Sequence, residues 1–263
     1  MYAPKDKPEP LIPVRLDLDS SFTFSCEKEM ACFTKCCKDV NIMLTPYDII
    51  QMKHALGLAS DEFLFLYSAP SIIEGTELPV PVLKTDSQAK TCAFLLDSGC
   101  SIYNTRPLAC RYYPLGAGIF HNSDAFSEER FFALISEPHC LGHSLGKERV
   151  VRDWLKDQGI EQYEKANAGW VELILKRKSL GPFVNIPEKT LQMFFMACYN
   201  IDSFRRFVFE SRFLDVYVVP DERQREIAGN DLALLELGME WLKTTLLGGG
   251  EIGIRQHISE VVD

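Results

Sequence analysis

Apolar positions recur at helical spacing in the second half of the chain and at shorter, broken intervals in the first. Val151, Trp154 and Leu155 stand at i, i+3 and i+4. Leu191, Phe194, Phe195 and Cys198 repeat that spacing and add i+7, which predicts amphipathic helices with one stripe turned to a core. A last long helix is predicted from about Asp221 to Leu247, closed by Gly248-Gly249-Gly250. In the first half, 47–56 reads as a helix. Thr45 is an N-cap residue, Pro46 takes the first helical position, Asp48 completes a capping box and Gly57 stops the run. A second helix starts at Ser60, a cap candidate, and carries Phe63, Leu64 and Leu66. The run Val40 to Leu44 is rich in β-formers and predicts a short strand. Val80-Pro81-Val82-Leu83 predicts a broken edge strand. Ala93 to Leu96, Ile102-Tyr103 and Arg130 to Ile135 predict further short strands. Prolines at 4, 8, 10 and 13 make residues 1–20 an extended arm.

These elements predict a mixed α+β architecture: an irregular cysteine-rich half with short strands around a metal centre, packed on a C-terminal helical layer. The expected division is an arm over 1–20, a cysteine-cluster metal-binding domain over 21–145 and a helical region over 146–263 packed on it. Neither an internal repeat nor a low-complexity block interrupts it.

Composition narrows the function. With 263 residues, 46% apolar and 25% charged, the chain has material for an ordinary core without covalent staples. A net charge of −9 offers no basic footprint, so no nucleic-acid partner is expected. No apolar run approaches the 18 or so residues of a membrane span, as estimated from bilayer thickness. Met1 to Arg15 has no apolar core of a secretory signal. The expected compartment is the reducing cytoplasm, where thiols serve metals or chemistry. Nine cysteines is an odd number, which a fully disulfide-paired monomer cannot satisfy.

Eight of those cysteines fall in the first half: Cys26, Cys32, Cys36, Cys37, Cys92, Cys100, Cys110 and Cys140. Their spacings are C-x5-C-x3-C-C, then C-x7-C-x9-C, then Cys140-Leu-Gly-His143. Soft thiolates suit both zinc and iron–sulfur clusters, and scattered core cysteines would not gather in one half of a chain. In an extended segment the adjacent Cys36 and Cys37 would point to opposite faces, so either they serve two centres or one of them is spare. A site closed by four thiolates carries net negative charge and calls for nearby cations and amide donors. Arg106 and Arg111, flanking Cys110, are the candidates. His143 is a further candidate ligand, weighed against a surface histidine near a helix start, and His121 could reach the same region. His54 and His257 read as solvated, and Cys198 reads as core. Tyr103, Tyr112 and Tyr113 could hydrogen-bond sulfurs or simply pack.

The residues also carry a resemblance. Phe24-Ser25-Cys26, Cys32, Cys36-Cys37 and Leu44 to Ile49 form one block. Cys92-Ala93-Phe94-Leu95, Gly99 to Tyr103 and Arg106 to Pro114 form a second. Together they resemble the YkgJ-type cysteine-cluster family, also described as a CxxCxxCC zinc- or iron-chelating domain, over roughly 22–145. The first block has longer spacings, x5 and x3 in place of x2 and x2. The resemblance implies a metal centre, an iron–sulfur cluster or zinc. A flagellin lysine methylase shares the cysteine pattern, which implies a protein-modifying activity for some relatives. Two function classes follow. One is an iron–sulfur protein acting in redox chemistry or in modification of a protein or peptide; the other is a zinc-stabilised binding or metal-handling module without catalysis. Iron–sulfur is favoured by the eight-thiolate count, the absence of paired CxxC knuckles and the interspersed apolar residues.

Overall fold

The computed structural model describes residues 15–122, 127–181, 186–247 and 252–255. In chain order its first elements are β1 (Arg15–Leu16), β2 (Ser21–Phe24), α1 (Pro46–Leu56), α2 (Ser60–Tyr67), β3 (Ser68–Ile72) and β4 (Pro79–Leu83). Next come β5 (Leu95–Leu96), β6 (Gly99–Cys100), α3 (Leu108–Tyr112), β7 (Leu115–Asn122), β8 (Ser127–Leu134), α4 (Gly142–Leu145) and β9 (Lys147–Val150). Helices follow: α5 (Val151–Asp157), α6 (Ile160–Ser179), α7 (Glu188–Tyr199), α8 (Ile201–Glu210), α9 (Phe213–Val216), α10 (Asp221–Gly229) and α11 (Asp231–Leu247). Short strands in the first half and helices in the second make this an α+β architecture. Most of the expected arm, residues 1–14, and the glycine triplet at 248–250 lie outside the described residues. Among those described, no helix is long and apolar enough to cross a membrane.

The chain forms two compact units, each assembled from separate stretches. The first takes the described residues up to Lys35 together with those from Tyr112 to Gly159. Its three-stranded antiparallel sheet runs in the order β1-β8-β7, with Arg15 opposite Ala133 and Leu115 opposite Leu134. A second antiparallel pair joins β2 to β9, with Ser21 opposite Val150 and Phe24 opposite Lys147. Strict alternation along β2 buries Phe22 and Phe24 and exposes Ser21 and Thr23. The two phenylalanines pack with Leu115, Phe132 and Val151, and Trp154 meets both rings edge-on at 6.1 and 5.6 Å.

The second unit takes Cys36–Arg111 and the described residues from Ile160 onward. Helix α1 begins as the sequence predicts. Asp48 N–H donates to Thr45 Oγ1 at 3.2 Å, Thr45 N–H donates to Asp48 Oδ2 at 2.8 Å, and Gly57 ends the helix at φ 65°. Helix α2 is capped one residue earlier than predicted. The Ala59 amide donates to Glu62 at 3.1 Å, and Ser60 turns inward instead, its hydroxyl donating to Asn200 Oδ1 at 2.8 Å. The segment 68–83 is a full antiparallel hairpin, β3 against β4, with Pro70 opposite Pro81. The strand predicted over Val40 to Leu44 shrinks to a single bridge, Met43 to Val82. Asp39 takes a left-handed backbone at φ 52° and Pro46 opens α1, leaving too few extended residues for a ladder.

The single helix predicted from Asp221 is broken at Asn230, whose backbone is extended (φ −113°, ψ 110°). Its side-chain oxygen accepts the Leu232 and Ala233 amides at 3.0 and 3.2 Å, capping α11 in place of a continuing turn. Trp241 on α11 sits at the centre of an aromatic group, with Phe204, Phe207 and Phe213 rings 5.5–5.6 Å away. It is 1% exposed. Trp241→Ala is expected to cost about 3–5 kcal/mol, the usual range for a buried aromatic, read as a lowered urea midpoint by far-ultraviolet circular dichroism.

Candidate metal centre

Each unit carries its own group of thiols. In the second unit the segment 84–111 is mostly turns, and it brings Cys92, Cys100 and Cys110 near one another. The short β5–β6 hairpin places Leu95 opposite Cys100, and Leu95 N–H donates to the Cys92 carbonyl at 3.0 Å. The Phe94 amide hydrogen-bonds the Cys92 sulfur, the kind of amide donation that steadies a thiolate ligand. Cys110, on α3, is pushed up to about 12, first by burial and then by the charges of Cys92, Asp48 and Cys100. Burial raises Cys92 as well, with a further push from Cys100. Raised Cys92 and Cys110 thiols give up their protons more readily when a bound cation offsets the charge. Cys37 joins them through the backbone, its carbonyl accepting the Cys92 amide at 2.9 Å. Cys36 and Cys37 lie in a 3-10 turn, Lys35–Cys37, and not in an extended run. Successive side chains there stand about 120° apart, so the opposite-faces geometry expected of the pair does not apply.

The two arginines flanking Cys110 do different things. Burial lowers the Arg106 pKa, while Tyr103, Cys110 and Cys100 favour its charged form. Its guanidinium lies 3.9 Å over the Tyr103 ring and donates to the Tyr103 carbonyl at 2.7 Å. Its charge is close enough to be influenced by Cys110 and Cys100. Arg111 instead stacks 4.3 Å over Tyr163 and donates to the carbonyls of Arg106, at 3.0 Å, and Asn104, pinning the loop between β6 and α3.

Asp48 is a positioning residue that the sequence offered only as a helix cap. Fully buried, it accepts the Leu108 amide at 2.8 Å as well as that of Thr45, so one carboxylate ties the start of α1 to the start of α3. Burial raises its pKa to about 6. Because the folded value lies above the unfolded one, stability from this group is full below about pH 4 and is lost as pH rises through about 6, by up to about 3 kcal/mol. Asp48→Asn should flatten that slope when urea midpoints are compared at pH 4 and pH 7. It should also cost about 1–3 kcal/mol at low pH, since one amide oxygen cannot accept both backbone donors.

In the first unit, Cys26, Cys32 and Cys140 lie around the turn that leads into α4. Cys32 is buried, and its sulfur accepts the Leu141 amide at 3.4 Å. The Cys140 sulfur is hydrogen-bonded to Tyr113, whose hydroxyl also donates to Glu137 at 2.9 Å. Cys26 follows Ser25, whose amide donates to the Gly142 carbonyl at 3.2 Å. Two glycines missed by the sequence reading make this approach feasible. A Cβ on Gly142 would meet the Ser25 carbonyl and the Phe24 ring, and one on Gly146 would meet the Phe24–Ser25 backbone. The His143 ring lies 5.4 Å from the Phe24 ring. Among the described residues, no three His, Cys, Asp or Glu side chains yet stand close enough to hold an ion; the thiols are gathered, not closed. Cys198 is core, 2% exposed, and His54 is largely exposed beside Asp231 at 2.9 Å. The side chain of His121, like His257, lies outside the described residues.

Residues 25–140 match the model of the CxxCxxCC family, described as a "putative zinc- or iron-chelating domain". The likeness to that family is confined to this stretch of the chain. No curated protein and no solved structure matches the chain. The matched span begins one residue before Cys26 and ends on Cys140, so it takes in all eight cysteines of the two groups. Chelation of zinc or iron is what the description of that family gives, and it supports metal binding by the matched stretch. The donor set fits: soft sulfur ligands, a buried cation beside them and amide donors aimed at two of the sulfurs.

Proposed function

We propose that Cys92, Cys100 and Cys110, with a fourth thiolate from Cys36 or Cys37, hold an iron–sulfur cluster, and that Cys26, Cys32 and Cys140 are metal ligands in the other unit. The observation that carries this reading is the mutual proximity of Cys92, Cys100 and Cys110, whose charges act on one another beside Arg106. Bound there, a cluster would supply one-electron transfer. The chain's own residues would do the rest. Arg106 offsets the negative charge of the thiolates, and the Phe94 amide steadies Cys92. Phe94 and Ile102, both buried in the core around Cys92 and Cys100, keep water from the sulfurs. A protein or peptide in the reducing cytoplasm is the substrate or partner this reading calls for, acted on by redox chemistry or modification.

Metal and acid-labile sulfide content, with an absorption spectrum, on protein purified without oxygen tests the reading. Iron with equimolar sulfide and a broad band near roughly 400 nm, as thiolate-bound clusters show, supports it. A colourless protein with zinc in the thiol group of the second unit overturns it and makes the domain a binding module stabilised by its metal.

A further inference from the structure

Strand β7 is an edge without protection. Among the described residues its one strand neighbour is β8, and the register runs unbroken from Leu115 opposite Leu134 to Asn122 opposite Ser127. In that same register the Ile135 amide donates to the Pro114 carbonyl at 2.8 Å. Antiparallel pairs alternate between bonded and non-bonded, so the even-numbered residues of β7 bond to β8. The odd-numbered ones, Ala117, Ile119 and His121, turn their N–H and C=O groups to the outer edge. Leu115 shares that parity but is 1% exposed, which removes it from the accessible edge, whereas Ala117 is exposed. Proteins ordinarily blunt such an edge with charge, proline or a covering strand. The other edge of this sheet has two of these devices: Glu128, Glu129 and Arg130 along β8, then β1 beside Phe132 and Ala133. Residues 115–122 contain no Asp, Glu, Lys or Arg and no proline.

We propose that β7 pairs antiparallel with β7 of a second copy of this chain, joining two three-stranded sheets into one across a twofold axis at Ile119. A twofold axis between antiparallel strands stands perpendicular to the sheet and keeps each face on its own side, so directly opposed residues share parity. The outward groups of 117, 119 and 121 then satisfy one another in a single register. Ile119 lies opposite Ile119, and Ala117 lies opposite His121 of the second copy. A register centred on Gly118 would need Leu115, which is buried. A second copy is the occupant that this edge fits. Without fixed charge the strand offers nothing for a foreign strand to match by complementary charge, and nothing in it repels an identical strand. Isologous pairing also closes on itself, so neither β7 is left as an open template. The pairing is independent of metal at the cysteines.

Sedimentation equilibrium of the full chain over about 1–200 µM, where a small interface associates, is expected to show a monomer–dimer equilibrium. Ala117→Pro removes an outward donor and no bond to β8. Ile119→Lys and Ile119→Glu each set like charges face to face on the axis. Each of the three variants should weaken the dimer by about tenfold or more, with the circular dichroism spectrum unchanged. An equal mixture of the Ile119→Lys and Ile119→Glu proteins should regain the dimer, because Lys and Glu then meet across the axis. A chain that stays monomeric over the whole range overturns the proposal. So does a dimer that Ala117→Pro and Ile119→Lys leave intact, since it would use another surface. A mixture no tighter than its two components overturns it as well, because residue 119 would then not face its own counterpart. If a charge at 119 unfolds the chain, Ala117→Pro decides alone: loss of the dimer supports the pairing and an unchanged dimer overturns it.

Discussion

Cys110→Ser is expected to strip the second unit of its metal and leave its helices folded. The half-buried Cys110 thiol feels the charges of Cys92 and Cys100, and desolvation with those charges holds its proton on until a cation compensates. A serine hydroxyl ionises far less readily than a thiol and binds soft metals poorly, so the site loses a ligand it cannot replace. The folding cost should be modest, about 1–3 kcal/mol for a polar group placed in a buried site without a full set of partners. Metal content per chain is the measurement. Cys198→Ser is the control: that thiol is buried among the apolar helices, so its replacement should lower the urea midpoint without changing bound metal. Equal metal in Cys110→Ser and in the unmutated protein would remove Cys110 from the ligand set. Metal uptake should also weaken as pH falls, because protons compete for the sulfurs that metal must claim.

Local features of this structure were legible where one residue type decides a conformation. Thr45, Pro46, Asp48 and Gly57 determine a helix start and stop by chemistry within a single turn, and α1 forms as they predict. The break between α10 and α11 was hidden because Gly229 and Asn230 are weak interruptions in an otherwise helical pattern, and capping by the Asn230 side chain decides it. Long-range pairing was the least legible. Nothing in Ser21 to Phe24 announces that its partner is Lys147 to Val150, since alternation gives a strand its faces but not its neighbour. The cysteines were found because thiols concentrated in half a chain are chemically unusual. Their partition into two groups depends on which stretches fold together, and that is a tertiary property. Asp48 and Gly142 act on the site through backbone contacts with segments distant in sequence, which no spacing reveals.

Removing the metals by chelation is expected to loosen the cysteine segment of the second unit far more than its helices. The stretch 84–111 is held by little regular structure: two two-residue strands, a 3-10 turn and the start of α3. Its anchors include the Asp48–Leu108 bond, the Arg111 bonds to the 104 and 106 carbonyls, and the backbone bonds from Cys92 to Cys37 and from Asp39 to Lys90. The helices α1, α6, α7, α8 and α11, by contrast, share a large apolar core built on Leu44, Trp170, Phe194, Phe204 and Trp241, which needs no metal to exclude water. Thiolate–metal binding to a flexible loop contributes on the order of 10 kcal/mol of apparent free energy, enough to determine whether a segment with so few fixed contacts is ordered at all. Amide hydrogen exchange before and after chelation under reducing conditions should therefore show protection in 92–110 falling by orders of magnitude and protection in α11 nearly constant. The circular dichroism signal, dominated by helices, should change little. If exchange in 92–110 does not respond, those anchors order that segment by themselves. If α11 melts with it, the metal is part of the unit's global fold, because loss of the cysteine segment would then uncover Phe94 and Ile102, which are buried in that same core.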